Sequence, residues 1–229
     1  MQLVSLFRGS FAAAILLMIG ATILRAEDWP QFRGPTGLGH TAEKNLPLKW
    51  GGKENENVAW KSPLVGEGHA SPIVVGGKVI VCTARWPADV KDRAKMIPEH
   101  HVVAYDAANG EQKWDTKIEP GPWLRSDFRS GPGGGYAAPT PASDGKQVFV
   151  VFGSSVIAAV DLEGKVVWRQ EIKPHTFDVT IGSSPVLFGD TVIMLCAMNK
   201  KDSKLLAFAK SDGAVRWETP LPQTGFSHS

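Results

Sequence analysis

The stretch that decides the fold is AYDAANGEQKW, residues 104–114. In it an apolar run ends at Asp106, a turn closes at Gly110, and a tryptophan follows four residues later. The pattern returns as AVDLEGKVVW at residues 159–168 and as AFAKSDGAVRW at residues 207–217. One pattern that recurs at such intervals indicates an array of like structural units.

Each unit also opens in the same way. A Ser/Thr-Pro pair stands at the start, and an apolar run resumes seven residues after the proline; the pairs are Ser71-Pro72, Thr140-Pro141 and Ser184-Pro185, and the runs begin with Val79, Val148 and Val192. In the first unit, Gly76-Gly77 separates two β-rich runs, which is typical of a hairpin. We therefore predict four antiparallel strands per unit.

Four-stranded units in series, without helical periodicity in the mature chain, predict an all-β fold, a β-propeller with blades at about residues 70–121, 137–175 and 182–221. The residues repeated at fixed positions are interpreted as structural: Trp60, Trp114, Trp168 and Trp217, the turn residues Asp106 and Asp161, and the glycines Gly110, Gly164 and Gly213. We expect the tryptophans to pack between neighbouring blades, because a flat aromatic side chain buries a large area there.

These residues resemble the repeat of pyrroloquinoline-quinone-type, or quinoprotein-like, propellers. The pattern from Ala104 to Trp114 matches that repeat, the one from Ala159 to Trp168 has one residue fewer in the turn, and Ala209 stands where the family usually has Asp. The resemblance covers residues 58–229, and residues 28–35, DWPQFRGP, look like the N-terminal lead of exported members.

The resemblance implies seven or eight blades, whereas this sequence supplies three blades and one extra strand at residues 58–61. His228-Ser229 occupies the place that His69-Ala70 has before the first Ser/Thr-Pro pair. An open arc would expose the apolar face of its last blade. We therefore expect the chain to be a fragment or a truncated product.

The first 26 residues are predicted to be a secretory signal peptide. Arg8 precedes an apolar stretch that extends from Phe11 to Leu24, and Ala26 precedes acidic residues. The alternative is an uncleaved anchor, but a spanning helix needs about 20 apolar residues. We expect cleavage after Ala26, a lead at residues 27–57, and a soluble protein in the periplasm or outside the cell.

Charge and cysteine content exclude some functions. Removal of residues 1–26 takes away Arg8 and Arg25 and no acid, which leaves 23 basic and 23 acidic side chains. This balance argues against nucleic-acid binding, which needs a basic surface. The two cysteines, Cys82 and Cys196, fall in the first and third units, so we expect two partly buried thiols and no disulfide.

The connections that enter the innermost strands form the ligand-facing rim of a propeller. This rule gives six ligand-binding candidates: His69, Arg125, Asp127, Arg129, Tyr136 and His228. Two arginines can hold a carboxylate or phosphate, and histidines at the rim can bind a metal or transfer a proton. The alternatives are a solvated loop with a surface ion pair, and histidines that only form hydrogen bonds. Residues 85–99 are expected to form an exposed flap.

Motifs for catalysis are missing from the sequence. It contains no phosphate loop, no nucleophile turn and no zinc motif, and we assign no catalytic residue and no metal ligand. The favoured function is a non-catalytic binding or scaffolding module for an envelope protein, a peptide or a polysaccharide. The alternatives are a pyrroloquinoline-quinone-dependent oxidoreductase, with calcium and with Arg125, Arg129 or His69 near the quinone carboxylates, or a truncated product without independent function. The adjacent cysteine pair of the dehydrogenase branch is absent.

Overall fold

The computed structural model describes residues 26–123, 135–172, 181–196 and 203–222. They form three four-stranded antiparallel sheets in which the strands lie in sequence order, as the β-propeller prediction requires. Blade 1 contains β1 (Ile73–Val75), β2 (Lys78–Arg85), β3 (Glu99–Asp106) and β4 (Gln112–Ile118); blade 2 contains β5 (Ala142–Ser143), β6 (Gln147–Phe152), β7 (Val156–Asp161) and β8 (Val166–Glu171); blade 3 contains β9 (Val186–Phe188), β10 (Thr191–Cys196), β11 (Lys204–Ala209) and β12 (Val215–Pro220). Apart from one short 3-10 turn at Arg93–Lys95, the described residues are strands and their connections.

An apolar core fills each of the two interfaces between neighbouring blades. The first combines side chains of β1–β4 with those of β6 and β7, and it contains Cys82. The second combines the other face of blade 2 with blade 3, and it contains Cys196. Both cysteines are buried free thiols, and burial raises the pKa of each to about 12. The two thiols therefore lie in different cores and are protonated at neutral pH.

The repeated tryptophans fasten each unit to the next one along the chain. The indole Nε1 of Trp114 donates to the carbonyl oxygen of Leu162 at 2.9 Å, and that of Trp168 donates to Lys210 at 2.7 Å. Trp60, in the segment before blade 1, donates to Ala107 at 2.9 Å in the same way. Trp60, Trp114 and Trp168 thus reach from one unit to the next, whereas Trp217 is 41% exposed.

The repeated glycines accommodate these indoles. Gly110, Gly164 and Gly213 have φ values of 75°, 91° and 72°, a region that favours glycine. A Cβ atom at each would also lie 2.5–2.8 Å from the indole of Trp60, Trp114 or Trp168, respectively. The glycine of each Gly-x-x-x-Trp pattern therefore forms a turn and also leaves room for an indole ring. That indole comes from the preceding unit and not from the tryptophan of the same pattern.

The Ser/Thr-Pro pairs link the blades near the propeller axis. The backbone N–H of Ser71 donates to the hydroxyl oxygen of Thr140 at 3.0 Å, and the N–H of Thr140 donates to the hydroxyl oxygen of Ser184 at 3.0 Å. Each hydroxyl thus accepts a bond from the equivalent residue of the preceding blade, which explains why the unit opens with Ser or Thr.

Ser184→Ala is expected to lower the free energy of unfolding by about 1–2 kcal/mol, because the N–H of the buried Thr140 loses its acceptor. Chemical denaturation followed by circular dichroism measures this loss. Ser184→Thr keeps the hydroxyl and is the matched control, with an expected change within about 0.5 kcal/mol. Equal losses in both variants would show that the hydroxyl does not carry the effect.

Candidate functional site

The six predicted ligand-binding residues divide between the described and the other parts of the chain. Arg125, Asp127, Arg129 and His228 lie outside the described residues, so their roles stay predictions. His69 and Tyr136 are described, and they lie in different surroundings.

His69 is exposed, at the connection that enters β1. Its backbone N–H donates to the carbonyl oxygen of Ala137 at 2.9 Å, and the N–H of Ala70 donates to the same oxygen at 3.0 Å. The backbone around His69 is therefore fixed against the connection that enters β5, while its side chain reaches the surface.

Tyr136 lies inside the first core and not on the rim. Its side chain is fully buried, with ring centroids 6.0 Å from Trp86 in an edge-on arrangement and 5.8 Å from His100. The carbonyl oxygen of Tyr136 accepts from the N–H of Gly153 at 2.7 Å. The glycine-rich sequence before Tyr136 is typical of a surface loop, but the residue itself begins the packed part of blade 2.

His100 is a buried polar residue that sequence analysis did not select. Its ring stacks on Phe152 with centroids 4.5 Å apart, and Nε2 lies 2.6 Å from the hydroxyl oxygen of Ser154. That oxygen also accepts from the N–H of Gly121 at 2.9 Å. Burial lowers the pKa of His100 to about 3, so the imidazole is neutral at physiological pH.

The flap between β2 and β3 is held over the rim by one arginine. Nη1 of Arg93 lies 3.1 Å from both carboxylate oxygens of Glu67, and its guanidinium lies 4.7 Å from the ring centroid of Trp86. Glu67 is fixed by two backbone hydrogen bonds to Ala84, at 2.8 and 2.9 Å. Since the ion pair is exposed to solvent, it holds the flap weakly. A cavity of about 330 Å³ lies beneath this connection and is lined by Glu67 and Thr83, among others.

The lead lies along the inner wall, where each blade presents its first strand. Trp29 exchanges two backbone hydrogen bonds with Val74 of β1, at 2.8 and 3.0 Å. One residue later, the carbonyl oxygen of Pro30 accepts from the N–H of Ser143 of β5 at 2.8 Å. Gly34, with φ of 77°, turns the chain back over the Trp29 indole. The lead thus connects the free edges of β1 and β5 through the backbone groups of two consecutive residues, Trp29 and Pro30.

An apolar groove lies where the lead reaches blade 3. A cavity of about 440 Å³ separates the lead from this blade, and its walls are Gln31, Phe32, Thr36, Gly37, residues 183–186, Ile193, Leu195 and Leu205. Large apolar side chains at this end of the wall are exposed: Phe32 by 50%, Val186 by 56% and Phe188 by 75%. No wall residue carries a charge, so the groove suits uncharged, apolar side chains.

The described ranges contain no candidate metal site. They contain no group of three or more His, Cys, Asp or Glu side chains arranged to hold an ion. In the same ranges, no helix is both long and apolar enough for a membrane span.

The fold and its inner wall define the class of protein: a β-propeller of four-stranded blades fastened by a tryptophan–glycine repeat. The family model described as "Outer membrane protein assembly factor BamB" matches residues 52–132 and 99–228. The chain therefore belongs to this family, in agreement with the predicted pyrroloquinoline-quinone-type repeat. No curated protein gives a significant match.

One solved structure supports the fold, and two others are reported with it. The quinohemoprotein alcohol dehydrogenase from Comamonas testosteroni superposes with a TM-score of 0.58 and 18% identity, over 87% of this chain and 28% of that one. A europium-containing methanol dehydrogenase gives 0.47 and 20% over 67% and 25%, and BamB from Moraxella catarrhalis gives 0.39 and 16% over 72% and 55%. This chain spans about a quarter of the length of these dehydrogenases and about half that of this BamB.

Proposed function

We propose that this protein is an exported, non-catalytic β-propeller module that binds extended polypeptide segments of envelope proteins in an extracytoplasmic compartment. The observation that supports this function is the way the inner wall holds the lead. Backbone groups of Val74 and Ser143 bind an extended chain there. Binding through the main chain gives affinity for any extended segment, and neighbouring pockets add specificity.

Two further observations support a polypeptide as the partner. The family description names an outer membrane protein assembly factor, and the assembly of a protein requires contact with its chain. The groove of about 440 Å³ beside the lead is of a size that accepts large apolar side chains. A nucleic acid or a strongly charged ligand would find no matching charge on these walls.

The test compares two ligands on the protein purified after export. A labelled peptide, acetyl-TSTFTST-amide, supplies an extended backbone and one large apolar side chain. We expect saturable binding by fluorescence anisotropy, with a dissociation constant on the order of 10 μM or weaker, since a short peptide loses conformational freedom on binding. The control peptide has Glu in place of Phe and is expected to bind at least about tenfold more weakly, because a charge is costly to bury in an apolar groove.

Pyrroloquinoline quinone with calcium is the second ligand, measured by quenching of tryptophan fluorescence. A polypeptide-binding module predicts no saturable, calcium-dependent quenching. Saturable quenching that needs calcium, together with no peptide binding, would replace the proposed function by the oxidoreductase alternative.

A further inference from the structure

Glu67 and Trp86 together surround the guanidinium of Arg93. Nη1 of Arg93 lies 3.1 Å from both carboxylate oxygens of Glu67, and the guanidinium carbon lies 4.7 Å from the centroid of the Trp86 ring. A carboxylate supplies negative charge and hydrogen-bond acceptors, and the face of an indole adds a cation–π attraction. The two side chains therefore have the chemistry of a recognition site for a guanidinium, and Arg93 occupies that site.

The receiving half of this site, Glu67 and Trp86, is fixed by contacts other than those with Arg93. The N–H of Glu67 donates to the carbonyl oxygen of Ala84 at 2.9 Å, and its own carbonyl oxygen accepts from the N–H of Ala84 at 2.8 Å. Trp86 packs on the core between blades 1 and 2, with the ring of Tyr136 edge-on. The receiving half therefore lies beside an interface between two described blades, and its position does not depend on Arg93.

The occupying half, the flap around Arg93, is held by much less. Arg93 begins the 3-10 turn of the flap, and its side chain is 49% exposed. Within the part of the chain that the structure describes, Arg93 makes the only hydrogen bonds or ion pair between residues 87–96 and the rest of the protein. The ion pair of Asp92 with Lys95 stays within the turn. Because an exposed ion pair contributes little to stability, another cation can compete with Arg93 for Glu67.

We propose that Glu67 and Trp86 bind an arginine side chain of a partner polypeptide, and that Arg93 blocks this site in the absence of the partner. Arginine is the favoured occupant because a carboxylate beside an aromatic face matches a flat, weakly hydrated cation better than it matches an ammonium group. This inference rests on the proposed polypeptide-binding function, to which it adds one side-chain contact and one regulatory step. The partner's arginine must displace Arg93 before it can bind.

The strength of the block follows from the fraction of molecules in which Arg93 occupies the site. Arg93 is tethered to its site by a short segment, so it competes at a high effective concentration. The apparent affinity for a partner falls in proportion to the fraction of molecules with an open site. A flap that is closed in about nine-tenths of the molecules therefore weakens binding of a partner's arginine about tenfold.

Arg93→Ala removes the internal occupant and is expected to strengthen the binding of an arginine peptide. The probe is labelled acetyl-TSTRTST-amide, and its affinity for the wild-type protein and the variant is measured by fluorescence anisotropy at about 0.15 M ionic strength. We expect the dissociation constant to be about tenfold lower for the variant. The control peptide has citrulline in place of arginine, which keeps the shape without the charge. It is expected to bind both proteins with equal, lower affinity.

Two further variants separate this site from a general effect of charge. Lys95→Ala removes a positive charge from the same turn, where the side chain pairs with Asp92, and is expected to change the affinity less than about twofold. Glu67→Gln, combined with Arg93→Ala, removes the carboxylate and is expected to cancel the tenfold gain. Circular dichroism verifies that each variant is folded. If Arg93→Ala is not, Arg93→Gln takes its place, since it keeps a long polar side chain without the charge.

The outcomes separate this inference from the proposed function. Equal affinity of the wild-type protein and Arg93→Ala for the arginine peptide would overturn the internal block. An equal gain with Lys95→Ala or with the citrulline peptide would overturn the guanidinium site. If the phenylalanine peptide of the first test binds while these results are obtained, the polypeptide-binding module stands without this site. No binding of either peptide by any of the proteins would overturn both.

Discussion

Trp168→Ala is expected to lower the free energy of unfolding by about 3–5 kcal/mol, the range typical of a buried aromatic residue replaced by alanine. Trp168 is only 7% exposed, its ring lies 6.1 Å from that of Phe149, and its Nε1 donates to Lys210 at 2.7 Å. Its removal leaves a cavity between blades 2 and 3 and an unpaired carbonyl on Lys210. Urea denaturation followed by far-UV circular dichroism measures the loss.

Trp217 provides the matched control, because it occupies the same strand position in blade 3. It is 41% exposed, against 7% for Trp168, so Trp217→Ala removes the same side chain but less buried contact. We expect a loss of no more than about 2 kcal/mol for this variant. Equal losses at the two positions would show that the effect belongs to the strand and not to the contact between blades. A loss below about 1 kcal/mol for Trp168→Ala would contradict the assignment of a buried plug.

The fold could be predicted because the repeat is local. Gly110 and Trp114 are four residues apart, and this spacing places a turn before a strand wherever it occurs. The contact that stabilises the array is not local: Trp114 packs on Gly164, in the next blade. Sequence indicated that the tryptophan lies between sheets, but only the stacking of the sheets determines which glycine it contacts.

The Ser/Thr-Pro pairs also make a contact between blades that the sequence alone did not predict. Their recurrence located the units, but their purpose depends on a bond between the equivalent residues Thr140 and Ser184 of neighbouring blades. A hydroxyl at the start of a strand can cap a turn, meet solvent or cross to another sheet. The sequence carries no signal that selects among these, because the distance between blades is a property of the assembled arc.

The candidate site was only partly predictable, since burial is decided by distant residues. His100 and His101 point to opposite faces of β3, as the alternation of a strand requires: His100 enters the core, and Nδ1 of His101 lies 2.6 Å from Asp115. Nothing local indicated that Phe152 and Tyr136 would enclose His100. Similarly, the lead was recognised by resemblance, but its pairing with Val74 follows from the free edge that β1 presents.

The buried imidazole of His100 has a consequence for acid stability. Its pKa in the folded protein is lowered to about 3, first by burial and then by the positive charges of His101 and Arg169. In the unfolded chain a histidine titrates near about 6.5. The stability that comes from keeping this group neutral is therefore complete above pH about 6.5, and it is lost as the pH falls toward 3.

The expected result is a difference between the wild-type protein and His100→Gln that depends on pH. Above pH about 7 the difference in unfolding free energy between the two proteins is constant. Below pH about 6.5 the unfolding free energy of the wild-type protein falls relative to that of the variant by about 1.4 kcal/mol per pH unit, or about 3 kcal/mol by pH 4.5. Urea denaturation at half-unit pH steps measures it, with His40→Gln, in the exposed part of the lead, as the control for the removal of a histidine. A difference that stays constant from pH 8 to 4.5 would mean that His100 is charged in the folded protein, and that the core beside Phe152 admits water.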